Sequence, residues 1–205
     1  MEIIIADKSH SIYANIICDT IADSANVRGT GIAKRTPAYV INKMEKGNAV
    51  IAIDGNTFAG FCYIEAWSHS KFVANSGLIV HPDYRGQGLA KQIKKIIFEH
   101  SRIKFPTAKV FSITTGLAVM KMNSQLGYKP VPFSELTNDQ SFWKGCQTCK
   151  NYDVLQRTEQ SMCLCTGMLF DPNTKEIKQT KKIKEKVFKR LKRIKQSLFL
   201  KKNTI

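Results

Sequence analysis

The chain has 205 residues, 43% of them hydrophobic, enough for one folded domain with a real core and an extension. No uninterrupted apolar run reaches the ~18 residues of a membrane span, and the first seven residues, which include Glu2 and Asp7, lack the basic start and long apolar core of a signal peptide. The net charge of +16 suggests a nucleic-acid binder until it is divided: residues 175–205 hold 13 Lys/Arg against Glu176 and Glu185, a net of +11, which leaves +5 for residues 1–174.

A mildly basic domain suits an enzyme whose cofactor carries phosphates and does not require a polynucleotide partner. A cytoplasmic protein is expected, and its six cysteines read as thiols or metal ligands rather than disulfides.

Taken in chain order, residues 2–6 have a strand pattern. Ser9 or Ser11 is placed to cap a helix carrying Ile12, Ile16, Ile17, Ile21 and Ala25, closed at residues 28–31. Thr36-Pro37 predicts a second helix start, with a hydroxyl at the cap and proline at the first helical position, and Gly47 a stop. Strand patterns follow over 49–53, 57–67 and 72–80. Asp54-Gly55 between the first two is a hairpin signal, so an antiparallel meander is expected.

The meander leads into residues 78–90, Leu-Ile-Val-His-Pro-Asp-Tyr-Arg-Gly-Gln-Gly-Leu-Ala. Leu78, Ile79 and Val80 form an apolar run that Pro82 ends, since proline has no N–H for a ladder. From about Gln87, the residues Leu89, Ile93, Ile96, Ile97 and His100 recur at helical spacing. The turn from Arg85 through Gly86 and Gln87 to Gly88 then presents free backbone N–H groups at the positive end of a helix, which is an anion site. Without Cβ atoms at Gly86 and Gly88, a phosphate can approach the backbone closely. The helix crosses over to a strand at 108–113, so those neighbouring strands run parallel. A helical stripe of Leu117 or Ala118, Met122 and Leu126 ends at Gly127.

Arg85-Gly86-Gln87-Gly88-Leu89-Ala90 resembles the Arg/Gln-x-x-Gly-x-Gly/Ala pyrophosphate signature of the GNAT superfamily of acyl-CoA-dependent N-acyltransferases, and Leu-Gly-Tyr at 126–128 is similar to the end of that family's later helix. The two segments span about a quarter of the chain. The resemblance implies an α/β (α+β) GNAT fold over residues 1–171, with a mixed, mostly antiparallel sheet of about six or seven strands flanked by helices. A basic extension, 172–205, follows. It also implies acetyl-CoA or another acyl-CoA as co-substrate, its pyrophosphate on Arg85, Gly86, Gln87, Gly88, Leu89 and Ala90 and its pantetheine arm along Leu78, Ile79 and Val80. Where many members carry a tyrosine that protonates the leaving thiolate, this chain has Asn123; an amide donates a hydrogen bond but supplies no proton at neutral pH. Glu65, by its place at the end of a strand, is the leading candidate for the base that keeps the attacking amine neutral, ahead of His69, His81 and Asp83.

Beyond these motifs, a capped short helix is expected from Ser134 toward Trp143. Cys146-x₂-Cys149 and Cys163-x-Cys165 are separated by thirteen residues. Four such sulfurs could surround one structural zinc, or Cys163 and Cys165 could be small core residues on a final strand, 162–170. The block from Phe142 to Thr166 resembles the end of a Bacteroidetes-type GNAT subfamily associated with arginine biosynthesis, which implies an N-acylglutamate synthase. Arg28, Lys34, Arg35 and Arg157 are available to meet a dicarboxylate.

Residues 175–202 alternate lysines with Ile183, Val187, Leu191, Ile194 and Leu198, an amphipathic basic helix that could meet a membrane surface, nucleic acid, the domain or a second copy in a homodimer. Three functions are compatible with these features. One is a small-molecule N-acyltransferase, one a protein- or RNA-associated acetyltransferase docked by the tail, and one a CoA-binding module without turnover.

Overall fold

Turn chemistry sets the antiparallel half of the sheet. In the computed structural model, which describes residues 1–28 and 34–174, strands β1 (Glu2–Ile5), β2 (Ala49–Asp54), β3 (Thr57–Trp67) and β4 (Phe72–Val80) pair antiparallel in that order. Gly55 supplies the positive φ, +59°, that the β2–β3 hairpin needs. With β5 (Lys109–Thr114), β6 (Lys129–Val131) and β7 (Thr166–Phe170), the sheet order is β1-β2-β3-β4-β5-β7-β6. Among the described residues, β4 and β5 form its one parallel pair, and the crossover between them carries α3 (Leu89–Lys104).

Helices cover both faces. The face of α3 carrying Ile93 and Ile97, both fully buried, packs with Val50, Ile64 and Val73; each such isoleucine contributes about 1.5–3 kcal/mol. On the opposite face α1 (Ala14–Arg28) and α2 (Pro37–Glu45) bury Ile17, Ile21, Val40 and Met44 against Ile51, Phe61 and Tyr63. A third cluster gathers Phe111, Phe133, Trp143, Leu155 and Leu169 beneath the cysteine-bearing segment.

Thr36 caps α2 and Pro37 opens it, as the sequence predicts. The first helix differs. Asp7, not a serine, caps a 3-10 turn, Lys8–Tyr13, with His10 closing the capping box. Because the 3-10 repeat is three residues per turn, the apolar stripe changes phase: Ile12 is 77% exposed and Ile16 40%, while Ala14, Ile17 and Ile21 are buried. The predicted close of that helix, beyond Arg28, lies outside the described residues.

Nor does one helix run from Ser134. A 3-10 turn, Phe133–Glu135, is followed by α5 (Gln140–Lys144), because Asp139 accepts the Ser141 N–H and starts a new helix. The pairing of β7 begins at Thr166 rather than at residue 162; in chain order α4 (Leu117–Gln125) precedes β6 and α6 (Tyr152–Arg157) precedes β7. By internal contacts the chain divides into units Met1–Pro172 and Asn173–Ile205; from residue 175 the basic extension and its predicted helix lie outside the described residues.

One irregularity sets the direction of the β4 side chains. Phe61 pairs with Ile79 but Tyr63 with Ser76, so Cys62 faces two residues, Gly77 and Leu78, in a β-bulge where Gly77 takes φ +65°. The extra residue shifts the pleat. Before it Val73 and Asn75 face α3; after it Leu78 and Val80 do.

Candidate active site

β4 and β5 share three register pairs, ending at Ala74↔Phe111. Past that point they diverge, and residues 75–80 of β4 have no ladder partner on the β5 side. The divergence opens a cavity of about 1020 Å³ walled by Ser76, Gly77, Leu78 and Val80 on one side, and by Ser112, Ile113 and Thr114 on the other. Val119 and Met122 of α4 line it as well. The volume suits a ligand larger than a single amino acid.

One end is the glycine turn. Gly86 and Gly88 both take φ +78°, and a Cβ on either would meet no atom within 4 Å, so space is open above the backbone. Gly88 stands at the N-cap of α3 without a side-chain cap, which leaves the first helical N–H groups to a ligand or solvent. Arg85 braces this turn: its Nε donates to the Val80 carbonyl at 3.1 Å and its Nη2 to Ser24 Oγ at 2.9 Å. Leu78, Val80, Arg85, Gly86, Gly88, Leu89 and Ala90 all line the cavity. Two residues of the predicted set do not. Ile79 points to the other face, packed with the α1–α2 core, and Gln87 is exposed with its amide donating to the Asp83 carbonyl.

At the other end Glu65, nearly buried on β3, accepts a hydrogen bond from the Tyr39 hydroxyl and stands 3.5 Å from Lys43 Nζ. Arg35 Nε donates to the Tyr63 hydroxyl, and its guanidinium lies 5.4 Å and 5.7 Å from the Tyr39 and Tyr63 ring centroids. Burial pushes both phenols above their ordinary range, so each keeps its proton and can donate. Burial also pulls Lys43 down, against the opposing pull of Glu65. Arg35 and Lys43 against one carboxylate give this end an excess positive charge, with Lys34 at the cavity wall.

Asn123 requires a correction. Its side chain is fully buried away from the cavity, with Nδ2 3.7 Å from Met168 Sδ and Oδ1 without a partner. Along α4 the cavity-facing residues are Leu117, Ala118, Val119 and Met122, and the next position turns about 100° toward the sheet. It therefore does not face a leaving thiolate.

The four cysteines do line the cavity, and all six in the chain are free thiols. Among the described residues no three or more His, Cys, Asp or Glu side chains are gathered so as to hold a metal, although the Cys146 and Cys165 thiols each feel the charge of other cysteines of the four. Cys163 and Cys165 precede β7 instead of alternating along it, so no strand geometry aims both at one point, and Cys149 Sγ accepts from the Asn151 N–H. Burial pushes the Cys146 thiol up to about 11 and, with Cys163 beside it, Cys165 up to about 12.

Residues 45–129 match the family model described as Acetyltransferase (GNAT) domain. The fold is the GNAT fold. Solved GNAT-fold structures similar to this chain include N-acetylglutamate synthase from Neisseria gonorrhoeae, complexed with coenzyme A and N-acetyl-glutamate, at 14% identity and TM-score 0.60. That match covers 84% of this chain but only 35% of the synthase chain. Rv2747 from Mycobacterium tuberculosis, in complex with CoA, matches at 14% identity and TM-score 0.58 over 83% of this chain and 99% of its own. YncA from Salmonella typhimurium, with its cofactor acetyl-CoA, matches at 16% identity and TM-score 0.56 over 88% and 98%. No curated protein matches the chain by sequence.

Sequence reasoning names Glu65, Lys34 and Arg35 but misses two things at the site. One is the set of side chains around Glu65: Tyr63, two residues before it on the same strand and hence on the same face, and Tyr39 and Lys43 of α2. The other is Lys94, a lysine between Ile93 and Ile97 on the buried stripe of α3. Both patterns are visible in the sequence once the buried faces are known.

Proposed function

We propose that the protein is an acyl-CoA-dependent N-acyltransferase that transfers an acetyl or succinyl group to the amino group of a small carboxylate-bearing metabolite, with glutamate in amino-acid biosynthesis as the leading acceptor. The observation that carries this is the cavity itself: a diverging strand pair leads from a glycine turn at a helix N-terminus to a pocket with excess positive charge. CoA pyrophosphate lies on the turn and the α3 N-terminus, and the arm follows the unpaired edge of β4 toward the apex at Ala74↔Phe111. The acceptor amine enters beside Glu65, which takes its proton directly or through water. Its carboxylates meet Arg35 and Lys34, which line the cavity. Free thiols throughout the chain suit a reducing, cytoplasmic setting.

The attack forms the C–N bond, backbone N–H groups polarise the thioester carbonyl, and CoA leaves as the C–S bond breaks. The test is release of CoA thiol from acetyl-CoA and from succinyl-CoA with L-glutamate and a panel of other amines. Turnover with glutamate supports the proposal, and the preferred thioester names the acyl group. CoA binding without turnover on any amine contradicts it.

The basic extension motivates a second proposal, a macromolecular acceptor docked by residues 175–205. Deleting those residues leaves kinetics on a free amino acid unchanged if the first proposal holds; a loss confined to a protein or RNA-linked acceptor favours the second.

A further inference from the structure

Lys94 is 1% exposed, yet it lines the cavity. No carboxylate stands within 4.0 Å of its ammonium among the described residues, where the ion pairs of the domain engage other lysines. Its Nζ lies 3.4 Å from Asn75 Oδ1 and 5.1 Å from the centre of the Tyr128 ring.

The orientation of Asn75 follows from its neighbours. Ser101 Oγ gives its proton to the Ile97 carbonyl at 2.7 Å, so toward Asn75 it accepts, and Nδ2 must be the donor, at 2.7 Å. The amide oxygen is thereby turned toward both Lys94 and the Tyr128 hydroxyl, which donates to it at 3.0 Å. Asn75, the first residue past the last β4–β5 pair, stands at the apex of the cleft. An arm that starts at the glycine turn and runs down β4 ends there.

Burying an ammonium without a counter-charge is costly, and such a group is ordinarily neutralised or paired. The polar atoms around Lys94 are neutral: the Asn75 amide on β4, the Tyr128 phenol ahead of β6, and the Cys62 thiol on β3, which donates to the Ser76 carbonyl. Arg102, on the α3 side of Tyr128, adds positive charge rather than cancelling it. The missing partner is an anion, and the apex of a CoA cleft is where an anion forms during reaction.

Resting on the proposed acyl-CoA transfer, we infer that Lys94 is the cation that receives the departing CoA thiolate and gives it a proton. The amine forms its C–N bond to the thioester carbon, the C–S electron pair moves onto sulfur, and a Lys94 Nζ–H proton moves to that sulfur. Of the two protons the ammonium form of the acceptor loses, one restores Lys94 through solvent and one is released. Burial pulls Lys94 down to about 8, so it is mostly protonated at neutral pH while still able to give the proton up. This supplies the acid that Asn123, facing the core, does not.

The experiment needs no acceptor, so its failure is separable from failure of the amine assignment. The full chain and Lys94→Met are titrated with CoA and with desulfo-CoA, and the ultraviolet thiolate absorbance of bound CoA is followed against pH, with desulfo-CoA as the blank. The wild type binds CoA tighter than desulfo-CoA, and bound CoA ionises at lower pH than free CoA. In Lys94→Met both differences vanish while desulfo-CoA affinity is unchanged. With an acceptor, kcat falls by about 10²–10⁴ with KM for the thioester little altered. Lys94→Arg, which keeps the charge, retains the preference for CoA and secures the comparison if the methionine variant does not fold. Equal affinity for CoA and desulfo-CoA in the wild type, or an unshifted thiol in bound CoA, overturns the inference.

Discussion

The Tyr63 ring occupies the space where a side chain on Gly77 would stand: a Cβ there would lie 2.3 Å from Tyr63 Cε1. Tyr63 is fully buried and its hydroxyl accepts from Arg35, so the ring cannot withdraw without disturbing the pocket around Arg35 and Glu65. The bulge that turns β4 toward the cleft and the pocket proposed for the acceptor are thus one packed unit. Gly77→Ala suffers both the clash and the left-handed φ of +65°. A destabilisation of about 2–5 kcal/mol is expected, read as a lower denaturation midpoint together with a raised KM for the acceptor.

Arg35 tests the acceptor class. Arg35→Gln removes the guanidinium but leaves a hydrogen-bond donor near Tyr63. It raises KM for acceptors with a side-chain carboxylate by about 10–100-fold, from a lost charge-assisted contact of ~1.5–3 kcal/mol, and changes KM for the matching amide acceptor much less. Steady-state kinetics on a glutamate and glutamine pair reads the difference. Equal loss on both acceptors contradicts the charge argument.

Glu65 tests proton removal. Glu65→Gln keeps the Tyr39 bond and the shape of the site but removes the carboxylate that faces Lys43. A fall in kcat of about 10²–10⁴ is expected, and part of it is recovered at high pH, where the amine is neutral without help. A pH-independent loss would make the role of Glu65 structural.

Asn123 predicts the opposite of a catalytic defect. Its buried Oδ1 has no partner, and Nδ2 has only a thioether at 3.7 Å. Asn123→Leu, similar in size, removes a desolvation cost of ~1–3 kcal/mol and stabilises the domain in thermal unfolding. Catalysis at saturating thioester is unaffected.

Lys94 also leaves a signature in stability. Its ordinary range is near 10.5 and burial pulls it to about 8, so between those values the unfolded chain holds a proton that the folded chain has released. Stability contributed by this group therefore rises as pH climbs from about 8 toward 10.5, and below 8 the buried charge is a cost. Cys62, pushed by burial up to about 11, works the other way once free thiols ionise. The difference between wild type and Lys94→Met isolates the lysine: the variant is the more stable at pH 7, and the gap closes by pH ~10.5.

The meander, the glycine turn and the crossover helix are legible in the sequence because each rests on local chemistry: Asp54-Gly55 at a hairpin, Pro82 ending a strand, Thr36-Pro37 opening a helix. The failures share a different cause. Ile12 and Ile16 fit a helical stripe, but a 3-10 turn changes the phase, and Asn123 can be placed on a helix but not on its correct face without knowing where the cavity lies. Ile79 is misplaced among the cleft-lining residues because the bulge at Gly77 sets which residues of β4 face α3. The spacing of the four cysteines cannot reveal that two of them lie ahead of the final strand rather than along it. Periodicity gives elements; it does not give the tertiary direction of a side chain.

The most direct measurement couples two products in one reaction. Wild-type protein is given acetyl-CoA or succinyl-CoA with glutamate, and free CoA thiol and N-acylated glutamate are quantified together. If the cavity carries out acyl transfer to glutamate, they appear in equal amounts, depend on the amine, and decline together in Glu65→Gln. CoA held by the protein with no amine-dependent thiol release, on either thioester, would contradict that function.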